Sequence, residues 1–123
     1  MPAPRPQVTA SQIDRRRRRH TRYRADFRVA VSYLGNQYQT INGHCRDLSE
    51  AGIGILLATE MNSGEVVGLT FSLPGSIELW EVRAVVRYRR GYQYGFEFLS
   101  LTSAQQETLK TYLESLPQLA PSP

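Results

Sequence analysis

The residues best suited to chemistry in this sequence form an arginine-rich segment between positions 15 and 24. It holds Arg15 to Arg19, Arg22 and Arg24, and Lys110 is the only lysine among fifteen basic residues. A guanidinium is a planar fork that pairs with two oxygens of a phosphate or with a guanine edge, and it also stacks on flat rings. The segment therefore indicates recognition of an anionic ligand. A solvated basic tail and arginine codon use in a GC-rich genome are the alternative explanations.

A second polar cluster, Asp47-Leu48-Ser49-Glu50-Ala51-Gly52, stands at the entrance to an apolar stretch. An ionised carboxylate accepts hydrogen bonds, and a hydroxyl both donates and accepts, so Asp47 and Ser49 are able to bind the polar edge of a ligand. The same residue types bond their own backbone in turns. A capped turn without a ligand is therefore the alternative interpretation.

Enzyme and metal chemistry find little support in the sequence. The acidic residues form no clustered pair for carboxylate catalysis, and no glycine-rich phosphate loop opens a helix. We interpret the adjacent His44 and Cys45 as a loop histidine and a small buried thiol. His44, Asp47 and Ser49 are near in sequence, but nearness in sequence is not the spatial arrangement that a nucleophile needs. We expect no catalytic residues, no metal site and no cofactor.

Alternating apolar and polar residues predict the elements that position these groups. Period-two patterns separated by turn residues indicate six short strands. The first carries Phe27, Val29, Val31 and Tyr33, and after a Gly35-Asn36 turn the second continues through Tyr38 and Thr40. The third is the apolar run 52–58, the fourth carries Val67, Leu69, Phe71 and Leu73, the fifth Trp80, Val82, Ala84, Val86 and Tyr88, and the sixth Tyr92, Tyr94, Phe96 and Phe98.

One amphipathic helix follows the strands. Leu109, Tyr112, Leu113 and Leu116 recur at helical spacing, Thr102 or Ser103 is placed to cap the first turn, and Pro117 ends the helix. The predicted fold class is all-β with one C-terminal helix. It is a six-stranded antiparallel β-barrel that the amphipathic α-helix caps or flanks.

Length and composition place these elements in one domain. The 123 residues fit a single folded unit, and we expect disordered tails over residues 1–13 and 118–123 around a domain at 14–117 that includes an arm at 15–24. Residues 1–28 hold nine arginines against two aspartates, which predicts an anionic partner at the arm. With one cysteine, no leader and no apolar stretch of about 20 residues, we expect a cytoplasmic protein without membrane insertion.

The two polar clusters together resemble the signature of the PilZ domain. Arg18-x-x-x-Arg22 is followed by Asp47-x-Ser49-x-x-Gly52, and a late Tyr-Gly-Phe-x-Phe stretch at Tyr94 to Phe98 fits as well. The resemblance covers roughly residues 15–116, nearly all of the expected domain. It implies a PilZ-like β-barrel that acts as a bacterial second-messenger receptor for cyclic di-GMP, often bound as a stacked pair.

The resemblance also implies roles for individual residues. Arg18 and Arg22 match the motif arginines that bind guanine edges and phosphates, and Arg17 and Arg19 are auxiliary candidates. Asp47 matches the position that accepts from guanine N1–H and N2–H, and Ser49 matches the motif serine. Gly52 keeps the loop compact, permits a positive φ and lets the ligand approach the backbone. Tyr88 stands near a position where many members place an aromatic residue toward the ligand.

The mechanism that we expect is ordering of the arm by the ligand, which changes the contacts to an unidentified effector protein. The alternative function is a small basic β-barrel that binds single-stranded nucleic acid. In that case the arm would contact phosphates, and tyrosines would stack on bases: Tyr23, Tyr38, Tyr88, Tyr92 and Tyr94. Their alternating spacing favours core or rim positions for most of them, so we do not expect nucleic acid as the partner.

Overall fold

A computed structural model describes residues 20–35 and 37–117 of the chain. The predicted tails and arm residues 15–19 lie outside this part, so the domain bounds stay a prediction. Six strands and one helix follow one another: β1 (Tyr23–Leu34), β2 (Tyr38–Leu48), β3 (Gly52–Leu56), β4 (Val66–Phe71), β5 (Trp80–Arg90), β6 (Gln93–Phe98) and α1 (Ser103–Glu114).

The strands close into an antiparallel barrel in the order β1-β2-β3-β6-β5-β4. The predicted fold class is therefore confirmed. Strand alternation sends every second side chain inside, and Val29, Ile55, Leu69 and Trp80 are among the fully buried residues of one core. Because the barrel is closed, β1 and β4 pair with each other and leave no open sheet edge between them.

Helix α1 covers one end of the barrel. Thr102 is its N-cap, and with Gln105 it forms the predicted capping box. Leu109 and Leu113 are buried in the same cluster as the inward strand residues. Side chains outside a closed barrel reach that cluster only through an end, so the helix acts as a cap. Within the described residues, no helix has the length and apolar character needed to cross a membrane.

The structure corrects several details of the sequence prediction, including the third and fourth strands, which end at Leu56 and Phe71 rather than at residue 58 and Leu73. His44 lies in strand β2 rather than in a loop, although Cys45 beside it is buried as expected. Tyr23 and Arg24 were assigned to the arm, but they begin β1. Tyr23 packs against the core, and the backbone N–H of Arg24 donates to the carbonyl of Pro117. Tyr92 lies exposed in the β5–β6 turn, since the sixth strand starts one residue later.

Candidate ligand-binding site

Two β-bulges turn Asp47 and Tyr88 to the outer face of the barrel. In β2, Cys45 pairs with Ile55 but Asp47 pairs with Gly54, so Arg46 is an extra residue. Gly54 stands between two inward isoleucines, and its partner Asp47 therefore points outward, although simple alternation from Cys45 would send it inside. The Cys45 thiol donates to the Asp47 carbonyl across this bulge at 3.4 Å.

The bulge in β5 has the same effect. Val86 pairs with Phe96, but Tyr88 pairs with Gly95, so Arg87 is the extra residue. Gly95 is flanked by the buried Tyr94 and Phe96. Tyr88 thus leaves the inward face on which the sequence pattern had placed it with Val86. The structure corrects that assignment, and the bulge is the physical reason.

Asp47, Gly54, Gly95 and Tyr88 form a row across four adjacent strands. The backbones at the two ends of this row are roughly 14 Å apart across the sheet, which corresponds to three strand spacings. The two glycines leave space for the side chains at the ends of the row. A Cβ on Gly95 would lie 2.0 Å from the Tyr88 ring, and a Cβ on Gly54 would lie 2.6 Å from an Asp47 carboxylate oxygen. The two side chains therefore occupy the space that larger residues would fill.

Arg22 joins the two ends of the row. Its Nη2 donates to Asp47 Oδ2 at 3.2 Å and to Tyr88 Oη at 3.3 Å. The Asp47 side chain is 9% exposed and that of Arg22 is 50% exposed. Partial burial acts to lower the pKa of Arg22, but the hydrogen bond and charge of Asp47, with a smaller contribution from Tyr88, outweigh it and raise the pKa. Arg22 thus carries a permanent positive charge at the site.

Ser49 organises the turn between β2 and β3. Its Oγ accepts from the backbone N–H of Ala51 at 3.2 Å and of Gly52 at 3.1 Å. This is the capped turn that the sequence left open as an alternative, and it leaves the hydroxyl proton with one long contact, 3.4 Å to the Gly52 carbonyl. Ser49 is consequently able to hold the turn and donate to a ligand at the same time.

Gly52 is required for a different reason from the one predicted. The glycines with positive φ in the described residues are Gly64, Gly75 and Gly91, so Gly52 does not use that region. It is the first residue of β3, and a Cβ there would lie 2.2 Å from the Phe96 carbonyl oxygen. The close approach of β6 excludes a side chain.

An open pocket of about 590 Å³ contains all of the predicted site residues that the structure describes. These are Arg22, Asp47, Ser49, Gly52 and Tyr88. Arg17, Arg18 and Arg19 lie outside the described residues, so their predicted roles stay predictions. Residues that were not predicted also line the pocket, among them His20, Arg87, Gly95 and Glu97. The Tyr94-Gly95-Phe96 stretch was a usable signal, because a glycine between two inward aromatic residues marks an outward gap.

A neighbouring groove of about 740 Å³ runs from the Ala51 turn to helix α1. It holds Glu50, Glu97 and Glu107 against Lys110 and His20. Three carboxylates beside one lysine repel an anion. In the smaller pocket, two arginines balance the two carboxylates. A ligand that carries phosphates fits the smaller pocket better on electrostatic grounds.

The tyrosines of the nucleic-acid alternative do not share one surface role. Tyr94 is fully buried and its hydroxyl donates to the Thr59 carbonyl, while Tyr23 packs against the core. Tyr88 is held in the pocket by Arg22. Tyr38 and Tyr92 are exposed. The expectation that most of these residues are core or rim agrees with their positions.

Other reactive side chains lie apart from the pocket. His44 pairs with Asp26 on the outer face of β1 and β2. Burial, followed by the nearby Asp47 and Asp26 charges, raises the pKa of the Cys45 thiol and keeps it protonated. Residues 20–35 and 37–117 contain no group of three or more His, Cys, Asp or Glu side chains placed to hold a metal ion.

Comparisons with known proteins agree with this geometry. The family model described as "PilZ domain" matches residues 16–115. An uncharacterised protein of Aquifex aeolicus is 33% identical over 101 residues, which are 79% of this chain and 48% of that protein. The chain thus spans about half of that relative's length.

Solved structures show the same fold. The PilZ domain of Escherichia coli YcgR, determined with c-di-GMP, has a TM-score of 0.64 at 21% identity over 81% of this chain and 91% of that one. The Bacillus subtilis inhibitor of motility MotI/DgrA has a TM-score of 0.64 at 22% identity over 77% of this chain and 48% of that one. The PilZ domain of CeSA from a cellulose-synthesising bacterium has a TM-score of 0.59 at 17% identity over 76% of this chain and 94% of that one. With the family model matching most of its length, this chain belongs to the PilZ domain family.

Proposed function

We propose that the protein is a receptor for cyclic di-GMP, which it binds in the pocket that holds Arg22, Asp47, Ser49, Gly52 and Tyr88. The observation that carries the proposal is the bridge from Arg22 to Asp47 and Tyr88, which brings together residues 25 and 66 positions apart in the sequence. Membership in the PilZ family and the fold shared with a PilZ domain solved with c-di-GMP support the choice of ligand.

The side chains match the chemistry of that ligand. Guanine presents O6 and N7 as adjacent acceptors, for which an arginine fork is the best partner, and its phosphodiesters also attract a guanidinium. The Asp47 carboxylate is suited to the guanine N1–H and N2–H donors, and the Ser49 hydroxyl proton to a phosphate oxygen. Gly54 and Gly95 let the Asp47 carboxylate and the Tyr88 ring lie flat against the strands, so the Tyr88 ring is available as a surface on which a base could stack.

Binding in this way requires an exchange at Asp47. One of its oxygens accepts a hydrogen bond from Arg22, and a guanine edge would take the place of Arg22. Arg22 has five N–H donors and half of its side chain is exposed. It is therefore able to turn toward a phosphate or base without leaving a buried charge unpaired.

The arm completes the proposal. Arg18, with Arg17 and Arg19 as auxiliaries, would add contacts to the phosphates, and ordering of arm residues 15–19 on the ligand would change the surface offered to an effector protein. Cleavage by trypsin at Arg15 to Arg19 should slow at saturating ligand. Unchanged cleavage there would reject the ordering step and leave the binding proposal standing.

Calorimetric titration with cyclic di-GMP tests the binding itself. We expect saturable binding to the unmodified chain and a loss of at least tenfold, about 1.4 kcal/mol, in Arg22→Ala and in Asp47→Ala. Arg28→Ala is the matched control, because Arg28 is exposed on β1 and does not line the pocket. GMP and cyclic di-AMP serve as ligand controls. A folded chain that does not bind, or that loses equal affinity in Arg28→Ala, would refute the proposal.

A further inference from the structure

An ion pair that the sequence did not indicate lies at the rim of the pocket. Arg87 Nε donates to Glu97 Oε2, and both residues line the pocket beside Tyr88 and Gly52. The side chains are 53% and 47% exposed. Surface ion pairs of this exposure contribute little to folding because water screens them. Replacement of Glu97 by another anion as the partner of Arg87 therefore costs little free energy.

The backbone holds Arg87 in place while its side chain remains able to move. Arg87 is the extra residue of the β5 bulge, and its carbonyl accepts from Ser63 Oγ at 3.1 Å. Its neighbour Tyr88 is bonded to Arg22. The bulge thus positions two adjacent residues, Arg87 and Tyr88, at the same pocket. Such re-aiming of side chains next to binding sites is a known use of bulges.

Glu97 is placed to compete for that arginine. It pairs across the sheet with Gly52, the motif glycine, and its carboxylate lies at the pocket that we assign to an anion. Carboxylate and phosphate are bound by guanidinium in the same two-pronged geometry. Within the described residues, Arg22 and Arg87 are the arginines of the pocket, and each is paired with a carboxylate.

We propose that Arg87 is a further ligand-binding residue, which exchanges Glu97 for a phosphodiester oxygen of the bound dinucleotide. Glu97 is then an internal competitor that lowers affinity for the anion. This inference rests on the proposed function. It adds a phosphate contact from β5, away from the arginine-rich segment and the Ser49 turn, and it names the residue that opposes that contact.

Affinities of four proteins for cyclic di-GMP test the exchange: the unmodified chain, Arg87→Ala, Glu97→Gln and the double variant. We expect Arg87→Ala to weaken binding about tenfold and Glu97→Gln to tighten it about threefold. In the Arg87→Ala background, Glu97→Gln should change little, since no arginine remains to be released. Arg87→Lys should recover part of the loss, because it restores the charge without the fork.

Arg83→Ala and Glu81→Gln are the matched controls, since both residues are exposed on β5 and neither lines the pocket. Thermal unfolding confirms that each variant is folded. If the unmodified chain binds and Arg22→Ala does not, while Arg87→Ala binds like the unmodified chain, the exchange is refuted and the receptor function stands. Equal tightening by Glu97→Gln with and without Arg87 would also overturn it, because that result indicates simple charge repulsion. If the unmodified chain does not bind, the receptor function itself fails.

Discussion

Replacement of Gly52 by alanine tests whether the motif glycine is needed for close strand packing. The new Cβ would lie 2.2 Å from the Phe96 carbonyl oxygen and 3.3 Å from its carbon. These are backbone atoms of β6, so no side chain is able to move aside. Strand β3 has five residues, Gly52 to Leu56, and its first residue must separate from β6 by about 1 Å to relieve the contact.

The cost follows from the bonds near this contact. The Phe98 N–H donates to the Ala51 carbonyl and the Ser49 N–H to the Gly52 carbonyl, both at 2.9 Å. Loss of two such bonds, at about 1 kcal/mol each, agrees with the usual cost of overpacking, about 1–3 kcal/mol. We therefore expect Gly52→Ala to lower the free energy of unfolding by about 2 kcal/mol, and Tm by about 10 °C.

Urea unfolding followed by the fluorescence of the buried Trp80 measures this difference. Gly68→Ala is the matched control, because its Cβ would meet only Ser32 Cβ, at 3.9 Å, in the neighbouring strand. That variant should be neutral or more stable by up to about 1 kcal/mol, since alanine restricts the unfolded chain. If the two variants differed by less than about 0.5 kcal/mol, the steric explanation for Gly52 would be wrong.

Two further predictions concern the core and the helix. Burial raises the pKa of Cys45, so at about pH 8 a thiol reagent should label the folded chain only as fast as the fold opens. In urea the thiol should react at the rate of a free cysteine. Rapid labelling without urea would contradict this prediction. Thr102→Ala removes the acceptor for the Gln105 N–H and should lower the free energy of unfolding by about 1 kcal/mol. Ser103→Ala, one residue later, should lower it much less. Equal effects of the two variants in urea unfolding would argue against the capping box.

Local patterns in the sequence were sufficient to predict the six strands and the helix of this fold. Side-chain direction in a strand repeats every two residues, so Phe27, Val29 and Val31 revealed the inner face of β1. The helix was equally readable, because the cap at Thr102 and the spacing of Leu109 and Leu113 depend only on residues within the same segment. The ordered pair of polar motifs then indicated the family.

The orientation of the site residues depended on contacts between strands. A bulge is defined by the count of residues on one strand against its partner, so no pattern within β2 or β5 shows that Arg46 or Arg87 is extra. Alternation alone would have placed Asp47 and Tyr88 inside the barrel. Pairing with Gly54 and Gly95 turned both outward.

The sequence by its own local physics thus determined the strands, the capped helix and the residue types of the pocket. Tertiary structure decided which charges meet there. The bridge from Arg22 to Asp47 and Tyr88, and the pair of Arg87 with Glu97, join residues from different strands. Closure of the barrel brings those strands side by side, and the strand register then selects which side chains face the same pocket.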